Sequence, residues 1–339
     1  MKTFNLCFLG FGNVGRALVR LLHEKSAAMR EDFGIEWRVT GVGTRRMGWL
    51  AQAEGLPVER LLAGEVVVGG QDSMQPSNVR EWLAAARCEV MFETTSLVPL
   101  TGQPAIEHAR AALESGAHVV TANKGIIVHA YHDLSALARE RGRRFLFEAT
   151  VADMPIFSLF CECLPTAKLL AFRGIFNSTT NIIIEEMEQG RSFAQGVQRA
   201  RLLGVTETDP AYDVDGWDSA VKTCALATVL MNAPLRLEEI EREGMRGLDV
   251  DSVRAARAAG TPFKLVSRAR LVSGGRVVAS IRPEQIAPGD PLAAVNGASL
   301  LVHFELDMLP GLTLTAHQPD LQSTAYGLLA DFINAVRKR

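Results

Sequence analysis

Apolar residues in the first half of this chain follow two alternating rhythms. FNLCFLG, WRVTGVG, EVMFETT, HVVTAN and RRFLFEAT are short runs rich in β-branched and aromatic residues, and they read as strands. EVVVG reads as a further short strand. Between them, NVGRALVRLLHEK, SNVREWLAAA, QPAIEHARAALESG and YHDLSALARERG space their apolar residues as amphipathic helices do. Strands that alternate with helices require crossovers, and crossovers give a parallel sheet.

After Pro155 the rhythm changes. KLLAFRGIF, LLVHFELDML and GLTLTAHQ predict strands, and FKLVSRARLV with RVVASIRP predicts an antiparallel hairpin about Gly274 and Gly275. Ser192 and Gln195 form a capping-box pattern before the helix FAQGVQRARLLG. GWDSAVKTCALATVLMN predicts a longer helix. This region is therefore α+β with a mixed or antiparallel sheet. In the tail, Ala325, Leu328, Leu329, Phe332, Ile333 and Val336 make one apolar stripe, so a terminal helix must dock on something. The expected domains are 1–148 with 318–339, and 149–317.

The 339 residues suit two domains, and 47% hydrophobic with 22% charged residues is ordinary for a soluble globular chain. A net charge of −2 gives no electrostatic support for nucleic acid or an anionic membrane. No apolar run approaches a membrane span. The opening MKTFNLCFLG is short, ends in a glycine pattern and lacks a cleavage site, so it does not read as a signal peptide. Cys7, Cys88, Cys161, Cys163 and Cys224 are odd in number and scattered, which fits a reducing cytoplasm. Cys161 and Cys163 lack the second ligand pair that zinc needs, and are expected to be buried structural thiols.

Chemistry first shows in Gly10-Phe11-Gly12-Asn13-Val14-Gly15, which follows a predicted strand and opens a predicted helix. Glycines there allow a tight turn and a close approach of backbone N–H groups to a pyrophosphate at the helix N-terminus. The first domain thus reads as a Rossmann-type doubly wound sheet that binds a dinucleotide. NAD sites place a carboxylate at the end of the second strand. Here Gly43-Thr44-Arg45-Arg46 stands instead, and two guanidiniums suit the 2′-phosphate of NADP.

The segment TETDPAYDVDGWDSAVK crowds Glu207, Asp209, Asp213, Asp215 and Asp218 ahead of Lys222. Like charges repel at close range, so such a cluster implies a cationic partner, a metal or a substrate. A calcium loop fails, because its alignment puts Ala211 at the first ligand position and Lys222 where the bidentate Glu belongs. Asp218 and Lys222 lie four apart and share a helix face, where an exposed ion pair is the common outcome. The apolar TCALATVLM that follows argues that this face enters a core or cleft. Desolvation lets an amine exchange a proton near neutrality, and carboxylates hold it in place.

The motifs GFGNVG, HVVTANKG, FEATV, NSTTN, LLGVTETDPAYDVDGWDSAVK and DPLAAVNG together resemble the homoserine dehydrogenase family over nearly the whole chain. The resemblance implies reversible oxidation of L-homoserine to L-aspartate 4-semialdehyde with NAD(P), and a homodimer. It implies Lys124 and Lys222 as the catalytic lysines. Glu207 and Asp213 would bind the substrate, Asp218 would orient Lys222, and Ser178 and Thr179 would flank the pocket. Thr95, Ser96, Asn123 and Lys124 would join Gly10, Gly12, Asn13, Val14, Gly15, Thr44, Arg45 and Arg46 at the cofactor. Glu148 and the Val151 carbonyl would be left to hold a sodium ion.

Four places depart from the family. Ala152-Asp153-Met154 replaces a glycine-rich stretch, and Ser178 replaces a glycine. Val205 stands where some members have a tyrosine, removing a substrate hydrogen bond, and 316–320 replaces a glycine-rich loop near the nicotinamide. A regulatory C-terminal domain of longer members is not expected. The reading is an NADP-preferring homoserine dehydrogenase. The alternatives are a related dehydrogenase of another short hydroxy acid or amino alcohol, and a non-catalytic NADP-binding relative.

Overall fold

The computed structural model describes residues 1–65, 76–206, 209–233 and 235–337. The expected strand in EVVVG, from Val66 on, and the candidate Glu207 lie outside them. The described residues divide into two compact units, Met1–Asp153 with Asp320–Arg339, and Met154–Pro319.

The first unit is built on β1 (Lys2–Leu9), β2 (Ile35–Thr44), β3 (Gly48–Ala51), β4 (Val90–Glu93), β5 (His118–Thr121) and β6 (Phe145–Leu146), in the order β3-β2-β1-β4-β5-β6. All neighbours run parallel except β2 and β3, which form a hairpin. That order is the doubly wound one, with the order reversing at β1 and β4, where such sheets bind ligands. Helices of eight or more residues are labelled. In this unit they are α1 (Asn13–Glu24), α2 (Ser26–Phe33), α3 (Ala105–Glu114), α4 (Lys124–Glu140) and the terminal helix, here α9 (Leu321–Val336).

The apolar stripes decide which faces are covered. Leu18 and Leu22 of α1, and Leu328 and Phe332 of α9, are buried with Phe4, Leu6, Phe8 and Phe92 in one cluster. Phe332 meets Phe4 and Phe92 edge to face, with both centroid distances 6.0 Å. The terminal helix therefore closes the core of the first unit.

The second unit holds β7 (Leu169–Ile175), β8 (Glu241–Arg242), β9 (Phe263–Leu271), β10 (Val277–Gln285), β11 (Leu300–Leu306) and β12 (Leu312–Ala316), ordered β12-β11-β7-β9-β10-β8. Its pairings are antiparallel except for the short parallel contact of β8 with β10, so the sheet is mixed. Its helices are α5 (Ser178–Glu188), α6 (Phe193–Leu202), α7 (Trp217–Leu230) and α8 (Val250–Ala258). The capping box at Ser192 and Gln195 is present, with both of its hydrogen bonds made.

Two expectations need correction. Cys161 and Cys163 are exposed, not buried. They sit in a π-helical turn, Leu159–Cys163, whose Phe160 packs on Phe304 at 5.0 Å, so the local apolar content is used by the phenyl ring and not by the thiols. RRFLFEAT yields only the two residues of β6, because the chain turns into a 3-10 segment at Glu148–Thr150.

Candidate functional site

In the first unit the three glycines of the β1–α1 turn have separate physical roles. Gly10 has φ +84°, and a Cβ there would lie 2.6 Å from the Thr94 carbonyl, so the turn excludes a side chain. At Gly12 a Cβ would meet nothing within 4 Å, which leaves its backbone open to a ligand. At Gly15 a Cβ would come within 3.2 Å of the Gly10 carbonyl oxygen, so this glycine lets helix and strand pack closely. Helix α1, beginning with Asn13 and Val14, has no side-chain cap and no acidic residue in its first turn. Its free N–H groups and dipole suit a pyrophosphate, and the site fits a dinucleotide.

The hairpin β2–β3 carries Arg45 and Arg46, the positions expected to select the cofactor. Thr44 Oγ1 accepts the Met47 N–H at 2.9 Å and tightens the turn, which leaves Arg45 and Arg46 exposed. At the ends of β4 and β5, the Asn123 amide reaches the Thr95 carbonyl at 3.5 Å, while its Oδ1 accepts the Gly125 N–H at 3.0 Å and caps α4. Lys124 is the first residue of that helix. Ser96, next to Thr95 in the segment after β4, is exposed.

Glu148 and Val151, the proposed sodium ligands, are both buried. The Glu148 N–H donates to Asp331 Oδ2 at 2.7 Å. Burial pushes the Asp331 carboxyl well above the ordinary range, and the nearby Glu148 adds to the effect. The sequence offers a faint sign of Asp331, a lone acid in the apolar stripe of the terminal helix. Ala152 and Asp153 adopt φ of 59° and 50°, a left-handed path that glycine follows without strain. Among the described residues, no group of three or more His, Cys, Asp or Glu is placed to hold a metal.

In the second unit the acidic segment is sorted by burial. Asp209 is exposed and accepts the Ala211 N–H at 3.0 Å, and Asp215 pairs with Arg246 Nη2 at 3.2 Å. Asp213 and Asp218 are buried instead, at 2% and 3% exposure. Lys222 Nζ lies 2.8 Å from Asp218 Oδ2 and donates to the Phe176 carbonyl at 2.6 Å. Asn177, absent from the sequence-derived candidates, joins the two acids. Its Nδ2 donates to Asp213 Oδ1 at 2.7 Å and to Asp218 Oδ2 at 3.0 Å. Its own Oδ1 caps α5 by accepting the Thr180 N–H at 2.9 Å. The local signal was the NSTTN pattern, in which Asn opens a helix.

The remaining candidates are tied to the backbone around this cluster. Ser178 Oγ donates to the Ala298 carbonyl at 2.9 Å, and Thr179 Oγ1 to the Val205 carbonyl at 2.8 Å. The side chain of Val205 packs on the apolar cluster that contains Ile182 and Ile183. Gln318, at φ 49°, reaches the Asn296 carbonyl and Ser299 Oγ, both at 3.3 Å. The 316–320 segment, with no glycine of its own, is thereby fastened to 296–299.

A doubly wound sheet with an open glycine turn places this chain among the NAD(P)-dependent oxidoreductases, here acting on a CH–OH group, and comparison with known proteins narrows the class. The family models for homoserine dehydrogenase and for its NAD-binding domain match residues 155–333 and 10–148. An NAD(+)-dependent homoserine dehydrogenase of Pseudomonas canavaninivorans is 31% identical, with 98% of this chain and 96% of that protein covered. A homoserine dehydrogenase of Methanocaldococcus jannaschii is 28% identical, with 97% and 98% covered. Among solved structures, a homoserine dehydrogenase from Thiobacillus denitrificans superposes with TM-score 0.82 at 27% identity, covering 99% of this chain and 73% of that one. A hyperthermophilic archaeal homoserine dehydrogenase in complex with NADPH gives 0.81 at 27%, covering 98% of each. The chain belongs to the homoserine dehydrogenase family.

Proposed function

We propose that this protein oxidises L-homoserine reversibly to L-aspartate 4-semialdehyde, with NADP as its preferred cofactor. The observation that carries the reading is the set in which buried Asn177, Asp213 and Asp218 hold the half-buried Lys222, which is costly to assemble unless it serves chemistry. Asp218 and the Phe176 carbonyl fix the Lys222 amine from two sides. A lysine so held can take the hydroxyl proton of the substrate and return it in the reverse direction. Asp213, with Glu207, would receive the substrate's ammonium group. Lys124, at the start of α4, is the second catalytic candidate. The bound nicotinamide supplies the hydride acceptor.

The first unit would hold the cofactor, with Arg45 and Arg46 receiving the 2′-phosphate. The NAD(+)-dependent Pseudomonas relative favours a second reading, in which NAD is preferred. Glu148 and Val151 offer only oxygen donors, which suit a hard cation such as sodium, and the ion would brace the turn without entering the chemistry. The second unit would bind substrate and pair two copies of the chain through its sheet. A cytoplasmic enzyme accords with the free cysteines, and among the described residues no helix is long and apolar enough to cross a membrane. The test is the absorbance of reduced nicotinamide with L-homoserine and either NADP or NAD, beside a panel of short hydroxy acids. Fastest turnover with homoserine and NADP is expected, and a much faster panel member would overturn the assignment.

A further inference from the structure

Glu93 ends β4 and is 0% exposed, and the chemistry proposed above does not use it. Its carboxylate oxygens are divided between two loops. Oε1 accepts the Thr95 N–H at 3.1 Å and also the Thr95 hydroxyl. Oε2 accepts the Thr121 hydroxyl at 3.1 Å, sharing it with the Glu93 backbone carbonyl at the same distance. Thr121 Oγ1 in turn accepts the Asn123 N–H at 2.9 Å, and Asn123 caps the helix that begins with Lys124. The Asn123 amide then closes the circuit on the Thr95 carbonyl at 3.5 Å. One buried carboxyl group thus links the segment after β4 to the segment after β5, and both lie at the carboxyl ends where open α/β sheets receive ligands.

We infer that Glu93 is a positioning residue for the cofactor, and that it holds these two segments in their binding shape most firmly when ionised. The inference rests on dinucleotide binding by the first unit and on the assignment of Thr95 and Asn123 to the cofactor. As a carboxylate, Glu93 accepts from all three donors. Once protonated, its O–H can donate to Thr121 Oγ1 while the Thr121 proton turns to the Glu93 carbonyl, and the bonds from Thr95 lose their charge assistance, so the link weakens. Burial moves this change into the working range by raising the carboxyl to about 7, against the pull of the Thr95, Thr121 and Asn123 hydrogen bonds. From β1 the strand partner is Leu9, and from β5 it is Thr121, both uncharged. The next ionisable residue along the chain is Lys124, which begins α4, and the groups that act on the Glu93 carboxyl are the uncharged Thr95, Thr121 and Asn123. The sign follows: affinity is full above about 7 and falls as the pH drops through it, and binding releases a proton.

The experiment is fluorescence titration of the full chain with NADH at pH 6 and pH 8, for wild type, Glu93→Gln and Glu93→Asp. NADH is chosen because the 2′-phosphate of NADPH itself titrates near 6. Wild type is expected to bind on the order of tenfold more tightly at pH 8. Glu93→Gln, which cannot ionise, should bind weakly at both values. Glu93→Asp should be weaker than wild type but still pH-dependent, and it keeps the test open if the glutamine variant does not fold, as judged by circular dichroism. A glutamine variant with the affinity and pH ratio of wild type would overturn the inference, and so would a wild type insensitive to pH. If wild type binds no dinucleotide at all, the cofactor assignment itself falls, and that result is distinct from the other two.

Discussion

Asn177 shows how much one neutral side chain can decide. Its amide stands between two buried acids, one of which also holds Lys222. Asn177→Ala would leave buried acceptors short of a donor, which costs roughly 1–3 kcal/mol. About one to two orders of magnitude should be lost in kcat/KM for homoserine, while NADPH binding measured by fluorescence stays as in wild type. Lys222→Met should cut turnover by ~10²–10⁴-fold, again with cofactor affinity unchanged, and near-normal turnover would remove Lys222 from the mechanism. Part of this was legible in the sequence. The Asp218–Lys222 pair is local, because residues four apart on a helix must share a face. The sorting of Asp213 from Asp209 and Asp215 was not, since it depends on which side of a short turn meets Asn177, a residue brought in from another part of the chain.

The elements that the sequence revealed are those whose periodicity is long enough to read, such as β1, α1, α7 and the β9–β10 hairpin. Helix α2 went unnoticed because Met29 is its one buried residue, so it has no stripe. Strand β3 carries no readable pattern because Leu50 is its one buried residue, whereas the equally short β4 is buried throughout. Yet β3 turns the arginine pair into the tip of a hairpin, with the Thr44–Met47 hydrogen bond closing it. Replacing Arg45 and Arg46 with alanine should therefore weaken NADPH binding far more than NADH binding. Calorimetry showing equal losses would contradict the 2′-phosphate role. The turn at Ala152 and Asp153 is a second local device that sequence alone could not resolve. Ala152→Gly removes a left-handed strain of ~1–2 kcal/mol but loosens the unfolded chain by ~0.4–1 kcal/mol. A net gain of about 1 kcal/mol is expected, read as a higher Tm, and a fall in Tm would show that the alanine methyl contributes more than its backbone costs.

At the scale of the whole molecule, one face of the second sheet stands open as a shallow groove that includes Arg173, Arg268, Arg270, Glu239, Glu241 and Glu305. Opposite charges arranged on one face can satisfy one another across a two-fold axis, because the same patch meets itself. Sedimentation equilibrium should give twice the chain mass, and a monomer at micromolar concentration would defeat the dimer. The path of the chain carries a different consequence. The first unit is interrupted after Asp153 and resumes at Asp320, and the helix that returns supplies Phe332 to the cluster around Phe4 and Phe92. During synthesis at roughly 5–20 residues per second, the ribosome must complete the entire inserted unit before that helix emerges, a delay on the order of ten to thirty seconds. Throughout that interval the newborn sheet has an unroofed greasy floor, so chaperones and proteases compete for it. The inserted unit, contiguous in the chain, is complete before that helix and can fold without waiting for it.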